Sequence, residues 1–288
     1  MSRILSVGLN LMDIYVDQDL MYPGGNELNV AVYASRLGAE SAFMGVFGTD
    51  ETVPLIREVL KKEKVDFSHS RVVEGENGNS FVRLVDGDRV FFAHNNGGVT
   101  GKYPIRIREE DIPYIRSFDV ITSSVYGRVP LAQMKKLCAL GVPVAFDFSF
   151  HRQQTLLDSL LPLMTFAFFS CADLSQEETC AILCRANQSG CRYCIGTRGG
   201  NGAILFDGES FRTQPAVTVK TVDTMGAGDS FLAAFLLKFF DERKAGRTAC
   251  EALESAFPAA ARFAAEICTK SGAIGYAFPI PEGYCSNR

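Results

Sequence analysis

The stretch Asp223-Thr224-Met225-Gly226-Ala227-Gly228-Asp229-Ser230-Phe231 runs straight into the apolar segment Phe231 to Phe240. That segment reads as a buried helix, so a Gly-Ala-Gly turn opens directly into a helix N-terminus. Small residues let a backbone approach a ligand closely. The first-turn N–H groups lack intrahelical acceptors, and together with the helix dipole they suit an anion. Asp229 sits in the same turn, where a second negative charge is electrostatically poor if anion binding is the only task. A carboxylate there can take a proton from an attacking hydroxyl. The amides of Gly226, Ala227 and Gly228 would meanwhile stabilise a transferring phosphoryl group. An acid favoured by the dipole alone is the other reading, and the turn by itself leaves both open.

Outward from this turn, strand and helix signals alternate. Ile4 to Val7, Ala42 to Phe47, Val120 to Ser123, Val142 to Phe146 and Phe166 to Phe169 read as strands. Asn26 to Leu37 (closed by Gly38), Val53 to Lys62, Gln133 to Leu140 and Gln176 to Ala186 read as helices. This pattern predicts a mostly parallel sheet covered on both faces, an α/β domain. Two places break it. Asn79 to Val85 and Arg89 to His94 flank Asp86-Gly87-Asp88, a hairpin signal that predicts a small projecting sheet. Ala203 to Thr213, around Asp207-Gly208, predicts an antiparallel edge to the main sheet. No repeat or linker appears, so one domain over 1–288 is expected.

Composition is ordinary for a globular chain: 288 residues, 47% hydrophobic, 22% charged, net charge −4. No basic tract points to nucleic acid. The longest apolar run, Phe231 to Leu237, is seven residues; a bilayer needs about 20. The first fifteen residues carry no hydrophobic stretch with a cleavage site, so a soluble, cytoplasmic protein is expected. Nine cysteines all follow residue 137. Cys180, Cys184, Cys191 and Cys194 have spacings open to a zinc reading, but their helical and strand-like settings favour reduced, packed thiols. His69, His94 and His151 show no metal spacing and read as surface or satisfied residues, with a substrate contact as the alternative for His94 alone, on the hairpin. The first strand is followed by Gly8-Leu9-Asn10, not a dinucleotide fingerprint. Gly97 to Lys102 is one residue short of a Walker loop and ends in Tyr103.

The nine-residue string resembles the C-terminal signature of the ribokinase-like, or PfkB, carbohydrate kinases, Asp-Thr-x-Gly-Ala-Gly-Asp-x-Phe. The resemblance implies a three-layer α/β/α fold with a small β-sheet lid, here about 11–24 and 68–100. It makes Asp229 the catalytic base and Gly226, Ala227 and Gly228 the anion hole. Gly24-Gly25-Asn26-Glu27-Leu28-Asn29 matches the family's sugar-binding segment. Asn26 reads as the N-cap of that helix and Asn29 as a ligand. Asp13, in Asn10-Leu11-Met12-Asp13, matches an Asp that holds sugar hydroxyls, although Leu9 stands where many relatives are polar. The implied acceptor site is Asp13, Gly24, Gly25, Asn29 and Asn10, with Tyr126 a further candidate whose alternative is packing. Thr197, Gly199 and Gly202 resemble the turn that meets ATP phosphates, and Asp223 and Thr224 would lie by the nucleotide or a monovalent cation such as K+. The family's Asn-x-x-Glu, which helps organise Mg2+, is replaced by Ser170-Cys171-Ala172-Asp173, leaving Asp173 as the metal candidate.

The blocks Gly24 to Tyr33, Arg89 to Phe91, Ala145 to Ser149, Phe166 to Ser170 and Asp223 to Phe231 resemble the fructoselysine 6-kinase subgroup. This implies phosphoryl transfer from ATP to the primary hydroxyl of a fructosamine, whose amine would want a carboxylate such as Glu27. A fructokinase, a nucleoside kinase of the same fold and a sugar-binding sensor on a kinase fold are the alternatives. A homodimer through the lid is expected, because its outer face would otherwise be an exposed sheet.

Overall fold

The computed structural model describes residues 1–85, 88–282 and 284, and the side chains of 84, 85, 88 and 89 are outside the description. The Asp86-Gly87 turn of the expected hairpin therefore lies outside the described residues. Strands β1 (Arg3–Val7), β4 (Glu40–Met44), β9 (Val120–Ser124), β10 (Val144–Asp147), β11 (Phe166–Ser170), β12 (Tyr193–Thr197), β13 (Ala203–Phe206) and β14 (Phe211–Gln214) form one sheet. Its order is β14-β13-β12-β11-β10-β9-β1-β4. Pairing is parallel from β4 to β12 and antiparallel at β13 and β14, the expected edge.

Period-two alternation in β11 shows how the layers are built. Phe166 and Phe168 enter the core shared with α1 (Asn26–Arg36), α2 (Thr52–Lys62), α8 (Ala227–Lys244) and α9 (Ala249–Ile267). Ala167 and Phe169 enter the opposite core. That second layer comprises α3 (Gly98–Lys102), α4 (Ile112–Ile115), α5 (Leu131–Cys138), α6 (Gln154–Leu160) and α7 (Gln176–Gln188). Phe231, Phe235 and Phe239 recur every four residues on α8, with ring centroids 6.5 and 6.3 Å apart. Phe166 sets its edge against Phe235 and Phe239. Each such ring contributes about 1.5–3 kcal/mol by burial, which anchors the helix that carries Asp229.

The expected strand Ala42 to Phe47 is split at Gly45. A Cβ there would lie 2.7 Å from the Gly8 carbonyl, and beyond it β5 (Val46–Phe47) leaves the sheet to pair with β6 (Arg71–Val72). The small sheet is larger than a hairpin. It orders β15 (Phe278–Pro279), β3 (Leu20–Gly24), β2 (Leu11–Tyr15), β7 (Gly78–Val85) and β8 (Asp88–His94), with β2 parallel to β7. Helix α9 had no counterpart among the sequence expectations. Cys180, Cys184, Cys191 and Cys194 are free thiols, and no group of three His, Cys, Asp or Glu among the described residues is placed to hold a metal ion.

Candidate active site

Helices α1 and α8 meet at their N-termini, and the sequence dictates how. Gly25 takes the cap position of α1 at φ +108°, which makes Asn26 the first helical residue. The N-cap reading of Asn26 is therefore corrected. Its Nδ2 instead donates to Asp229 Oδ1 at 3.0 Å, and Asn29 Nδ2 donates to Asp229 Oδ2 at 2.8 Å. Asn29 Oδ1 is buried with no partner, an acceptor left over next to Asp229.

Asp229 is 8% exposed and its carboxyl is pushed up to about 8. Burial is the main cause, and the negative charges of Asp147 and Glu27 add to it against the lowering pull of the asparagine amides. Glu27 is pushed up to about 7 and Asp147 to about 6, again chiefly by burial. Neither had been assigned a firm role. Glu27 follows Asn26 on α1, and Asp147 ends β10 on the face opposite Phe146 and Phe148. The period-two pattern of Ala145-Phe146-Asp147-Phe148 could have found Asp147, because a carboxylate there must face the α1 and α8 layer. Glu27, the carboxylate considered for the acceptor's amine, is enclosed rather than open to solvent. It is 1% exposed, accepts the Leu9 N–H at 3.1 Å, and lies so close beneath Gly8 and Gly127 that a Cβ on either would clash with it.

Asp13 is buried on β2, opposite Tyr22 of β3 and Ser80 of β7. A Cβ on Gly24 would lie 2.3 Å from Asp13 Oδ2, so the glycine makes room for the carboxylate. Asn10 acts as a strut: its amide donates to Val46 O and accepts from Asn77, each at 2.9 Å. Tyr126 packs edge-on to His151, with ring centroids 5.3 Å apart, and burial, helped by the Asp147 charge, raises its phenol. His94 is exposed on β8, and His69 is stacked on Tyr114 and hydrogen-bonded to Asp111.

Thr197, Gly199, Gly202, Thr224, Ala227 and Gly228 line one cavity of about 440 Å³. Nothing lies within 4 Å of a Cβ position on Gly228 or Gly200, which leaves open approaches to the backbone. The three turn amides are not equivalent. Ala227 N–H points at Thr224 O (3.2 Å) and is used inside the turn. Asp223 fixes the turn: its carboxylate accepts Met225 N–H and Gly272 N–H, both at 2.9 Å. Asp173 does not stand free for a metal. Arg152 holds it with two hydrogen bonds of 2.9 and 2.8 Å, and that guanidinium lowers its carboxyl to about 2.

An apolar-walled cavity with glycine backbone sits beside a buried carboxylate whose raised pKa suits it to receive a proton near neutral pH. Such a site defines a phosphotransferase with a hydroxyl acceptor. Sequence comparison agrees: the pfkB family carbohydrate kinase profile matches residues 3–280. The chain belongs to this family and is a sugar kinase. It is 41% identical over 278 residues to the fructosamine kinase FrlD of Bacillus subtilis, covering 96% of this chain and 94% of that protein. It is 34% identical to the fructoselysine 6-kinase of Escherichia coli over 82% of this chain and 88% of the relative. The fold matches Arabidopsis thaliana ribokinase complexed with ribose and ATP, with a TM-score of 0.77 and 21% identity over 95% of this chain and 94% of that one. Among the described residues no helix is long and apolar enough to cross a membrane.

Proposed function

We propose that this kinase phosphorylates a fructosamine, fructoselysine or a near analogue, on its primary 6-hydroxyl with ATP. The observation that carries the acceptor class is the 41% identity, over nearly the whole of both chains, to a fructosamine kinase. In the reaction the hydroxyl oxygen bonds to the γ-phosphorus, the bond to the β–γ bridging oxygen breaks, and ADP leaves. The hydroxyl proton passes to Asp229, which Asn26 and Asn29 hold in position. Asp13, Gly24, Gly25 and Asn29 would surround the sugar, with the spare Asn29 Oδ1 accepting from a sugar hydroxyl. The Thr197–Gly202 turn and the start of α8 would hold the phosphates. Mg2+ would neutralise phosphate charge, arriving on the nucleotide, since the described residues offer no ready ligand cluster. A monovalent cation such as K+ would sit by the Asp223–Thr224 turn.

The segments 11–24 and 68–100 would act as the lid of a single kinase domain, excluding water from the transfer. Val90, Phe91 and Phe92 are 46, 54 and 47% exposed on its edge strand β8, which favours a homodimer through this sheet. A cytoplasmic setting suits the ATP supply and the free thiols.

The direct test is ATP consumption by the purified enzyme with Mg2+, comparing fructoselysine, fructose, ribose and nucleosides. Preference for fructoselysine is expected; preference for free fructose would replace the acceptor and leave the kinase. Turnover with none of them, despite sugar binding, would favour the sensor. Gly24→Ala probes Asp13 separately. The added methyl pushes the Asp13 carboxylate aside, and KM for the acceptor should rise about 10- to 100-fold, the loss of one charged hydrogen bond. KM for ATP should stay within about twofold. Equal loss for both substrates would remove Asp13 from the sugar site.

A further inference from the structure

Resting on the fructosamine reading, we propose that Arg128 and the groove it borders receive the amino-acid part of the acceptor, the guanidinium pairing with its carboxylate. Arg3, Arg36, Arg108, Arg152 and Arg212 are all ion-paired. Arg128 is exposed, and among the described residues its guanidinium has no hydrogen-bond or ion-pair partner. Its backbone holds φ at +56°, a left-handed conformation that is strained for a non-glycine residue. Such strain collects where a side chain must be aimed at a ligand.

The loop carrying Arg128 grows out of the active-site floor. Val125 N–H donates to Asp147 O at 3.0 Å, and Gly127 lies directly over the Glu27 carboxylate. Arg128 Nε is 3.8 Å from where a Cβ on Gly97 would stand, at the base of the small sheet. From Arg128 a groove of about 370 Å³ runs between α5 and α6, walled mostly by apolar side chains such as Val125, Leu131, Phe146 and Leu156, with three hydroxyl side chains among them. Arg128 is the one charged side chain among the described residues that line it.

A fructosamine built on an amino acid carries a carboxylate beyond the sugar, and the lysine conjugate adds a flexible apolar chain. One unpaired guanidinium beside apolar walls matches those two features, and an arginine fork bonds a carboxylate with two parallel hydrogen bonds. Free fructose has nothing to place there.

The test measures kcat and KM of the full-length enzyme for fructoselysine, for the fructose conjugate of propylamine, which lacks a carboxylate, and for fructose. Arg128→Gln should raise KM for fructoselysine about 10- to 100-fold. Its kcat, and KM for the propylamine conjugate, should move less than about twofold, and Arg128→Lys should recover part of the loss. An unchanged fructoselysine KM, or an equal rise for both conjugates, overturns the assignment of Arg128. Rejection of both conjugates by the unaltered enzyme overturns the fructosamine reading itself, and this inference with it.

Discussion

Replacing Asp229 with asparagine is expected to lower kcat about 100- to 10,000-fold, the usual contribution of a positioned general base. KM for ATP should hardly move. The variant should fold, since an asparagine keeps the side-chain volume and either Asn26 or Asn29 can turn its amide to offer an oxygen. It should also be more stable than the parent. The carboxyl of Asp229 is ordinarily near 3.8 and stands at about 8 in the folded chain. Between those values the folded state binds the proton and the unfolded state does not, so stability falls as pH rises through this window. Asparagine escapes that loss. A gain of about 1 kcal/mol would lift Tm by about 2–4 °C for a chain of this size. Activity runs the other way, because the base works when deprotonated, and kcat/KM for the acceptor should climb to a plateau above about pH 8. A pH–rate profile and thermal scans over the same range read both slopes. Near-normal turnover by Asp229→Asn would exclude Asp229 as the proton acceptor.

The second large effect is expected at Gly226. Its φ is +76°, and a Cβ there would stand 2.3 Å from Tyr33 Oη and 3.1 Å from the Ala273 methyl. Tyr33 is fully buried, and its hydroxyl donates to the Ala273 carbonyl. Gly226→Ala thus forces a left-handed alanine, about 1–2 kcal/mol, and breaks a buried hydrogen bond, about 1–3 kcal/mol more. Denaturant titration should show a loss of roughly 2–5 kcal/mol, and the displaced α8 N-terminus should cost at least about 100-fold in kcat. A stable Gly226→Ala enzyme with normal kcat would mean that the turn tolerates side chains and that its glycine serves some other need.

Much of this architecture could be read before any coordinates. The parallel strand at Phe166 was legible because burial on two faces leaves an unbroken apolar run, and the antiparallel edge at Ala203 because Asp207-Gly208 marks a hairpin turn. Helix α9 escaped notice although Thr248 and Glu251 form a capping box that the sequence spells out. Its interior Pro258 and alanine-rich face hide the amphipathic pattern. In the site, the proposal of Asp229 as base starts from its own turn. Asn26 was misread as a cap because local rules see an Asn after Gly-Gly and cannot see its partner, 203 positions further along. The electrostatic coupling of Glu27 and Asp147 to Asp229 was hidden for the same reason: it exists only once α1, β10 and α8 are packed. The ion pair of Asp173 with Arg152, twenty-one residues earlier, was likewise invisible from its own neighbourhood.

The pairing of Asn29 with Asp229 closes a separation of 200 residues. During synthesis at about 5–20 residues per second, Asn29 would leave the ribosome about 10–40 seconds before Asp229. Through that interval the emerging chain would have no helix α8 to cover Tyr33 and the Phe166 ring, both of which are wholly enclosed in the finished protein. The proposed base would therefore meet its asparagine partners only late in synthesis, and the uncovered core is in greatest need of chaperone protection just before that.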